Sequence, residues 1–393
     1  MVMVRALRVI RHDVLRFFRC AWFHPAQRWC LIAVALTLLL PAASTLSAPP
    51  VLSPVTPGRT LNFPRDFGAH PDYRTEWWYV TGWLEQPDGK PLGFQVTFFR
   101  SATDHDANNP SRFAPKQLIV AHAALSDPAL GRLAHDQKIA RAGFGLAQAS
   151  EATTDLKLDA WTMRREDNGS YRIHLPARDF TLTLTLSPTQ PLMLQGEAGY
   201  SRKGLQPGQA SYYYSEPHLN VHGTVTRSGK PVSIKGTAWL DHEWSTTVLD
   251  ARAVGWDWLG ANLDDGSALM AFRIRRADGS TLWQHAALRQ RDGRLRQFGG
   301  KASGGKNDSG DLRFTPLRVW RSPRTGASYP VGMQIDIDGT RWTLTPLQDD
   351  QELDSRQSTG AVYWEGAVRV MRDGQPAGRG YFEMTGYLKA LKL

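Results

Sequence analysis

Three acids and a histidine crowd into one stretch of the chain, Trp239-Leu-Asp241-His242-Glu243-Trp244 followed closely by Trp256-Asp257-Trp258. Side chains alternate along an extended strand, so Asp241 and Glu243 would share one face while His242 and Trp244 share the other. A carboxyl against an aromatic wall loses solvation, its pKa rises, and it can donate a proton near neutral pH. Asp257, set between two indoles, is a second acid of this kind. With His242 orienting a water and Trp244, Trp256 and Trp258 offering π-faces to a carbocation, the chemistry would be protonation and hydration of an isolated C=C bond. The same residues read equally as a hydrogen-bonded knot, in which a carboxylate fixes a histidine ring and backbone amides between two domains.

A second group, Tyr212, Tyr214, Glu216, His218, Asn220 and His222, is spaced by two and would share a strand face if Pro217 does not shift the register. Two His and one Glu at that spacing are a zinc-type donor set. Alternating polar residues also describe the wet face of an antiparallel strand, and we expect no metal here but a polar ligand wall, with Tyr214 and His218 as its members. The third group is His70-Pro-Asp-Tyr-Arg74-Thr-Glu76-Trp77-Trp78-Tyr79, an aromatic strand entered by a charged turn. Arg74 and Glu76 could pair within it, an interaction of about 1 kcal/mol or less when exposed. Trp78 suits either a ligand surface or a core. The chain has no Gly-x-Ser-x-Gly elbow, Walker loop, dinucleotide glycine pattern or His-Glu-x-x-His, so no cofactor is expected. The glycine-rich stretch 303–310 follows no phosphate-loop spacing and reads as a loop.

These residues must be carried by strands. Thr181-Leu-Thr-Leu-Thr-Leu186 alternates with period two, and Asp-Gly or Ser-Gly turns recur at Asp88, Ser228, Asp265, Asp278, Asp292, Asp338 and Asp373. Only about Ala129 to Ala149 has helical character. The chain also repeats itself. Trp77-Trp-Tyr-Val, a turn at Asp88-Gly89 and Leu92-Gly-Phe-Gln-Val-Thr-Phe-Phe99 return as Trp256-Asp-Trp-Leu, a turn at Asp265-Gly266 and Leu269-Met-Ala-Phe-Arg-Ile274, the turns 177 residues apart. Tyr171, Thr185, Leu186 and Pro188 match Tyr329, Thr343, Leu344 and Pro346 at an offset of 158, and Arg227, Gly229 and Pro231 match Arg372, Gly374 and Pro376 at 145. A shrinking offset with order kept is expected of a duplicated domain whose second copy has shorter loops. Each copy supplies roughly eight strands, enough to close into a barrel that holds one small ligand. Positions present in both copies then belong to the fold, such as Glu216 recurring as Glu365, and Trp78 with a counterpart near Trp256. The cluster from Asp241 to Asp257 is unduplicated.

The 393 residues suit two cores. The first 48 stand apart: six Arg and Asp13, then the apolar run Trp29 to Leu40, then Ala42, Ala43 and Ser44. This is the order of an export signal, either cleaved near Ser44 or Ala48 or kept as an anchor. Both cysteines, Cys20 and Cys30, fall inside it, so the mature chain would have neither disulfide nor thiolate chemistry. Cleavage removes six Arg and one Asp, taking the net charge of +10 to +5. Scattered Lys and Arg on so mild a charge exclude nucleic acid as a partner.

The blocks His70-Pro-Asp-Tyr-Arg-Thr-Glu-Trp-Trp-Tyr79, Gly93-Phe-Gln-Val-Thr-Phe-Phe-Arg100, Tyr214-Ser-Glu-Pro-His218 and Trp239-Leu-Asp-His-Glu-Trp244 through Gly255-Trp-Asp-Trp258 resemble the AttH-like family, which includes carotenoid 1,2-hydratase (hydroxyneurosporene synthase). The resemblance spans about residues 62–390 and is nearer to the family's broad secreted branch than to its carotenoid enzymes. It implies an all-β protein of two tandem lipocalin-like, calycin-type antiparallel barrels, exported to the periplasm. Members of this branch often neighbour an ABC-type permease, which implies a transport-linked role. We therefore expect a signal over 1–48, a linker over 49–60, a first barrel over 61–235 and a second over 236–393. Two functions remain open: a carrier of a hydrophobic small molecule such as a lipid or terpenoid, and a hydratase (a lyase) or hydrolase acting on one.

Overall fold

The computed structural model describes residues 50–105, 109–300 and 312–391. The expected signal, both cysteines and the 303–310 loop lie outside the described residues. Among the described residues no helix is long and apolar enough to cross a membrane, which says nothing of strands.

Thirteen strands build a first antiparallel sheet: β1 (Thr75–Glu85), β2 (Pro91–Ala102), β3 (Gln117–Ser126), β4 (Leu133–Arg141), β5 (Ala147–Ala149), β6 (Asp155–Leu158), β7 (Trp161–Arg165), β8 (Tyr171–Pro176), β9 (Thr181–Ser187), β10 (Met193–Leu194), β11 (Tyr200–Arg202), β12 (Ala210–Arg227) and β13 (Lys230–Ser245). Ten build the second: β14 (Ala253–Leu263), β15 (Ala268–Arg276), β16 (Thr281–Arg289), β17 (Leu295–Gly299), β18 (Leu312–Arg321), β19 (Ser328–Ile337), β20 (Thr340–Pro346), β21 (Glu352–Ser355), β22 (Ala361–Arg372) and β23 (Gln375–Met384). The pairing orders are β4-β3-β2-β1-β13-β12-β9-β8-β7-β6-β5 and β17-β16-β15-β14-β23-β22-β20-β19-β18. In both sheets the last strand returns to pair with the first, so the two halves share one plan. The fold is all-β with tandem lipocalin-like barrels, as expected.

All seven expected turns carry glycine at positive φ, where a Cβ would be strained. At Ser228-Gly229, Asp338-Gly339 and Asp373-Gly374 both residues are left-handed, the two-residue geometry that matches strand twist. The helical expectation over 129–149 is corrected. Leu133–Arg141 is strand β4, paired along its length with β3, because tertiary pairing overrides weak local preference. The expected boundary at 235/236 falls inside β13, which pairs on both sides within the first sheet; the sheets part after Ser245. The expected linker is pinned down: Val55 is buried, and Thr56 meets the Tyr212 hydroxyl at 3.0 Å through its backbone N–H.

Among the described residues the apolar side chains gather in three large cores and a small fourth cluster of Ala124, Leu133, Leu353 and Tyr363. One fills the first barrel around Trp78, Tyr214 and Trp244, and another fills the second around Leu259, Trp342 and Trp364. The third lies between the sheets and holds Tyr79, Tyr213, Trp239, Trp258 and Tyr381. Strand alternation puts each central strand in two of them, so β1 sends Trp78 inward and Tyr79 into the junction.

Candidate active site

Two cross-strand rows meet at that junction. In the first sheet, Tyr79 on β1 lies opposite Thr97 on β2 and Asp241 on β13, and Asp241 lies opposite Ser215 on β12. In the second, Glu383 on β23 lies opposite Glu365 on β22 and Trp258 on β14. The rows touch: the Tyr79 and Trp258 rings are edge to face at 5.2 Å, and the Trp258 indole N–H donates to the Tyr213 hydroxyl at 3.2 Å. Asp241 accepts from Ser215 Oγ and Trp239 Nε1 on Oδ1 and from the Tyr213 hydroxyl on Oδ2, each at 2.6 Å. Glu243, one pleat away, accepts from Ser211 and pairs with Lys203 at 2.9 Å.

Four carboxyls thus share one junction, and among the described residues Lys203 is the cation that pairs with any of them. Burial pushes Asp241 up to about 7 although three donors oppose the shift. Glu365 rises well above the carboxylate range through burial and the neighbouring Glu383 charge, and Glu383 is raised by burial together with the charges of Asp241 and Glu243. Burial thus favours the protonated forms of Asp241, Glu365 and Glu383 near neutrality. Glu365 Oε1 and the Tyr79 and Tyr381 hydroxyls, all buried, have no hydrogen-bond partner among the described residues. The Tyr79 and Tyr363 hydroxyls nevertheless lie close enough to Glu365 to oppose the rise that burial causes. Glu383 and Trp256 are only partly buried.

The three residues expected to act together are separated. Asp241 faces the junction, His242 the interior of the first barrel and Asp257 the interior of the second, so no single substrate atom can meet all three. Asp257 is held by Arg273 at 2.5 Å, Arg275 at 3.1 Å and the Tyr387 hydroxyl at 3.0 Å. Of the expected ligand wall, Trp78, Tyr214 and Trp244 surround His242 in the first barrel, whereas Trp258 and Trp256 belong to the junction. Pro217 does shift the register: a bulge between Glu216 and Leu219 turns His218, at φ +53°, out to Asn262 and the Ser267 carbonyl at 2.8 Å each. Glu216 stays inside the first barrel, accepting from the Tyr171 hydroxyl and raised by burial to about 7, while His222 is exposed. The zinc-type set at 216, 218 and 222 is not assembled. Arg74 pairs with Asp104, and Glu76 with Arg100 at 2.8 Å.

A different donor set is assembled: His70, Glu76 and His242, all buried, are the group among the described residues that could hold a metal ion. Burial pushes Glu76 up, but hydrogen bonds from His242 and His70 and the Arg100 charge outweigh it and hold the carboxyl far below its usual range. Burial lowers His242 to about 4, so its ring is neutral. Glu365, matched by Glu216 in sequence, is expected from the repeat to belong to the fold. In the structure Glu216 faces a barrel interior and Glu365 the junction, and Trp78 and Trp256 likewise face different cores. A one-residue offset between copies reverses every facing. The signal for Glu383 was its parity with Tyr381 beside an aromatic strand, visible only once that strand is paired.

Residues 54–387 match the AttH-like family. The crystal structure of a Nitrosomonas europaea protein assigned to AttH shares 60% identity and a TM-score of 0.79, covering 86% of this chain and 100% of that one. Kievitone hydratase from Nectria haematococca superimposes with a TM-score of 0.63 at 15% identity, covering 87% of this chain and 98% of that one, a likeness of fold alone. No curated protein matches the chain.

Proposed function

The chain belongs to the AttH-like family, and from that premise we propose that it binds an apolar small molecule at the junction of its barrels and protonates it there, as a hydratase acting on an isolated C=C bond. The observation that carries this is the placement of Asp241, Glu365 and Glu383 together in the apolar junction beside Trp258 and Trp239, where burial favours their protonated forms. The Glu365–Glu383 pair is the proton source, because Glu365 has an unpartnered oxygen whereas Asp241 has both oxygens occupied. Proton transfer to one alkene carbon leaves a cation at the other, which the indoles stabilise. A water oxygen then bonds to that carbon and its surplus proton returns to the Glu365–Glu383 pair, which gave up the first, so the enzyme ends as it began. A purely structural knot accounts for Asp241, whose oxygens are filled by Ser215, Trp239 and Tyr213.

Incubation with a panel of isoprenoid alkenes in heavy-oxygen water, read by mass spectrometry, tests the reading. The wild-type chain should incorporate label, and Glu365→Gln combined with Glu383→Gln should abolish it. Undiminished incorporation in the folded double variant sinks the assignment. A carrier role has one observation of its own, a cavity of about 590 Å³ in the second barrel whose lining includes Leu269, Phe298 and Trp342 together with Arg291, Arg294 and Arg372. That volume suits one small amphiphile. Co-purification of such a molecule with no hydration would favour the carrier. Either activity would operate in the periplasm if the amino-terminal segment exports the chain, and a permease partner would follow from the carrier role.

A further inference from the structure

Each barrel places an inward acid on its first strand directly opposite an arginine on its second, Glu76 opposite Arg100 and Asp257 opposite Arg273. In the second barrel a second guanidinium, Arg275, completes the neutralisation. In the first barrel that place is taken by two imidazoles aimed at one carboxylate oxygen: His70 Nδ1 lies 2.7 Å and His242 Nε2 2.9 Å from Glu76 Oε1. We propose that His70, Glu76 and His242 form a site for one divalent transition-metal ion, zinc first among them, which supplies the positive charge that Arg275 supplies in the other barrel.

The three donor atoms lie within 4.8 Å of one another. Two imidazoles and a carboxylate are the donor set of three-ligand zinc sites that leave one position open. Every ligand is also held from behind, as metal ligands generally are. His70 Nε2 meets Asp66 Oδ1 at 3.0 Å, His242 Nδ1 meets the Tyr214 hydroxyl at 3.1 Å, and Glu76 Oε2 accepts from Arg100 Nε at 2.8 Å. Asp66 is itself fixed by the Asn62 N–H at 2.7 Å. The rings cannot swing: His70 stacks on Trp244 at 3.7 Å and 4°, and His242 on Trp78 at 4.4 Å and 21°. Because His70 precedes β1 while Glu76 and His242 sit on β1 and β13, the ion would tie the entering segment to the barrel wall. The rival arrangement has the three side chains hydrogen-bonded to one another with no ion between them.

Full-length protein stripped with a chelator and titrated with cobalt(II) and then zinc, followed by visible d–d absorption and calorimetry, decides between them. One ion per chain with tetrahedral d–d bands is expected for the wild type, and none for His70→Gln or His242→Gln. Asp66→Asn should weaken binding about 10–100-fold, and His174→Gln, on an exposed ring, should leave it unchanged. A wild-type chain that stays folded by near-UV circular dichroism yet takes up neither ion overturns the proposal, as does uptake that survives in both histidine variants.

Discussion

The Trp258 indole of the second barrel donates to the Tyr213 hydroxyl of the first at 3.2 Å, and Tyr213 in turn donates to Asp241 at 2.6 Å. The hold on a buried acid in one half therefore depends on a strand of the other, and donors in series polarise one another in a low-dielectric seam.

Tyr213→Phe breaks this series. It leaves the Trp258 N–H without its acceptor and removes the only donor on Asp241 Oδ2 among the described residues. A loss of about 1–3 kcal/mol is expected in urea denaturation. Asp241, deprived of a donor that favours its ionised form, should titrate higher still, which carbon NMR of labelled aspartate would show. Wild-type stability in this variant would mean that the series does not hold the junction.

Stability should fall above pH 6.5. Burial raises Asp241 and Glu216 from 3.8 and 4.5 to about 7, so the folded state favours their protonated forms. Their contribution is complete below the unfolded values and is lost as pH climbs through the folded ones. His242 and His285 are lowered by burial from 6.5 to about 4 and His122 to about 3, so they work in the opposite sense, weakening the fold as pH drops below 6.5. The two sets oppose each other at mildly acid pH, and only the acids titrate above it. Thermal melts should show Tm declining from pH 6.5 to 8, with a shallower decline in Glu216→Gln; a Tm that rises over this range contradicts the balance.

Gly93→Val should wedge the barrels apart. A Cβ at Gly93 would stand 2.6 Å from Ala367 Cβ and 3.1 Å from Ser126 Cβ, atoms fixed to their own backbones. Overpacking of this kind costs roughly 1–3 kcal/mol. Calorimetry should record a lower Tm, and a variant as stable as the wild type would show that the sheets separate freely there.

Asp257→Asn should damage stability rather than chemistry. It strands Arg273 and Arg275 inside the second barrel, and breaking a buried pair costs about 3–5 kcal/mol. Turnover per folded molecule should be kept at a temperature where the variant is folded, because Asp257 faces away from the junction. Loss of turnover with unchanged stability would return Asp257 to the reacting groups.

The strands, the turns, the repeat and the facing of Asp241 and Glu243 against His242 and Trp244 were legible in the sequence, because each follows from alternation or from a dihedral that only a few residues tolerate. Which core each face meets was not legible. Asp241, His242 and Asp257 are neighbours in the chain and lie in three different cores, since adjacent side chains on a strand point apart and β13 and β14 belong to different sheets. His70 and His242 are 172 positions apart and share one carboxylate oxygen because the last strand of the first sheet returns to its first. Local periodicity thus determined the kind of protein, two related barrels rich in aromatic strands. Pairing between distant strands and the packing of one sheet on the other decided which acids lose water together, and with it where the chemistry can occur.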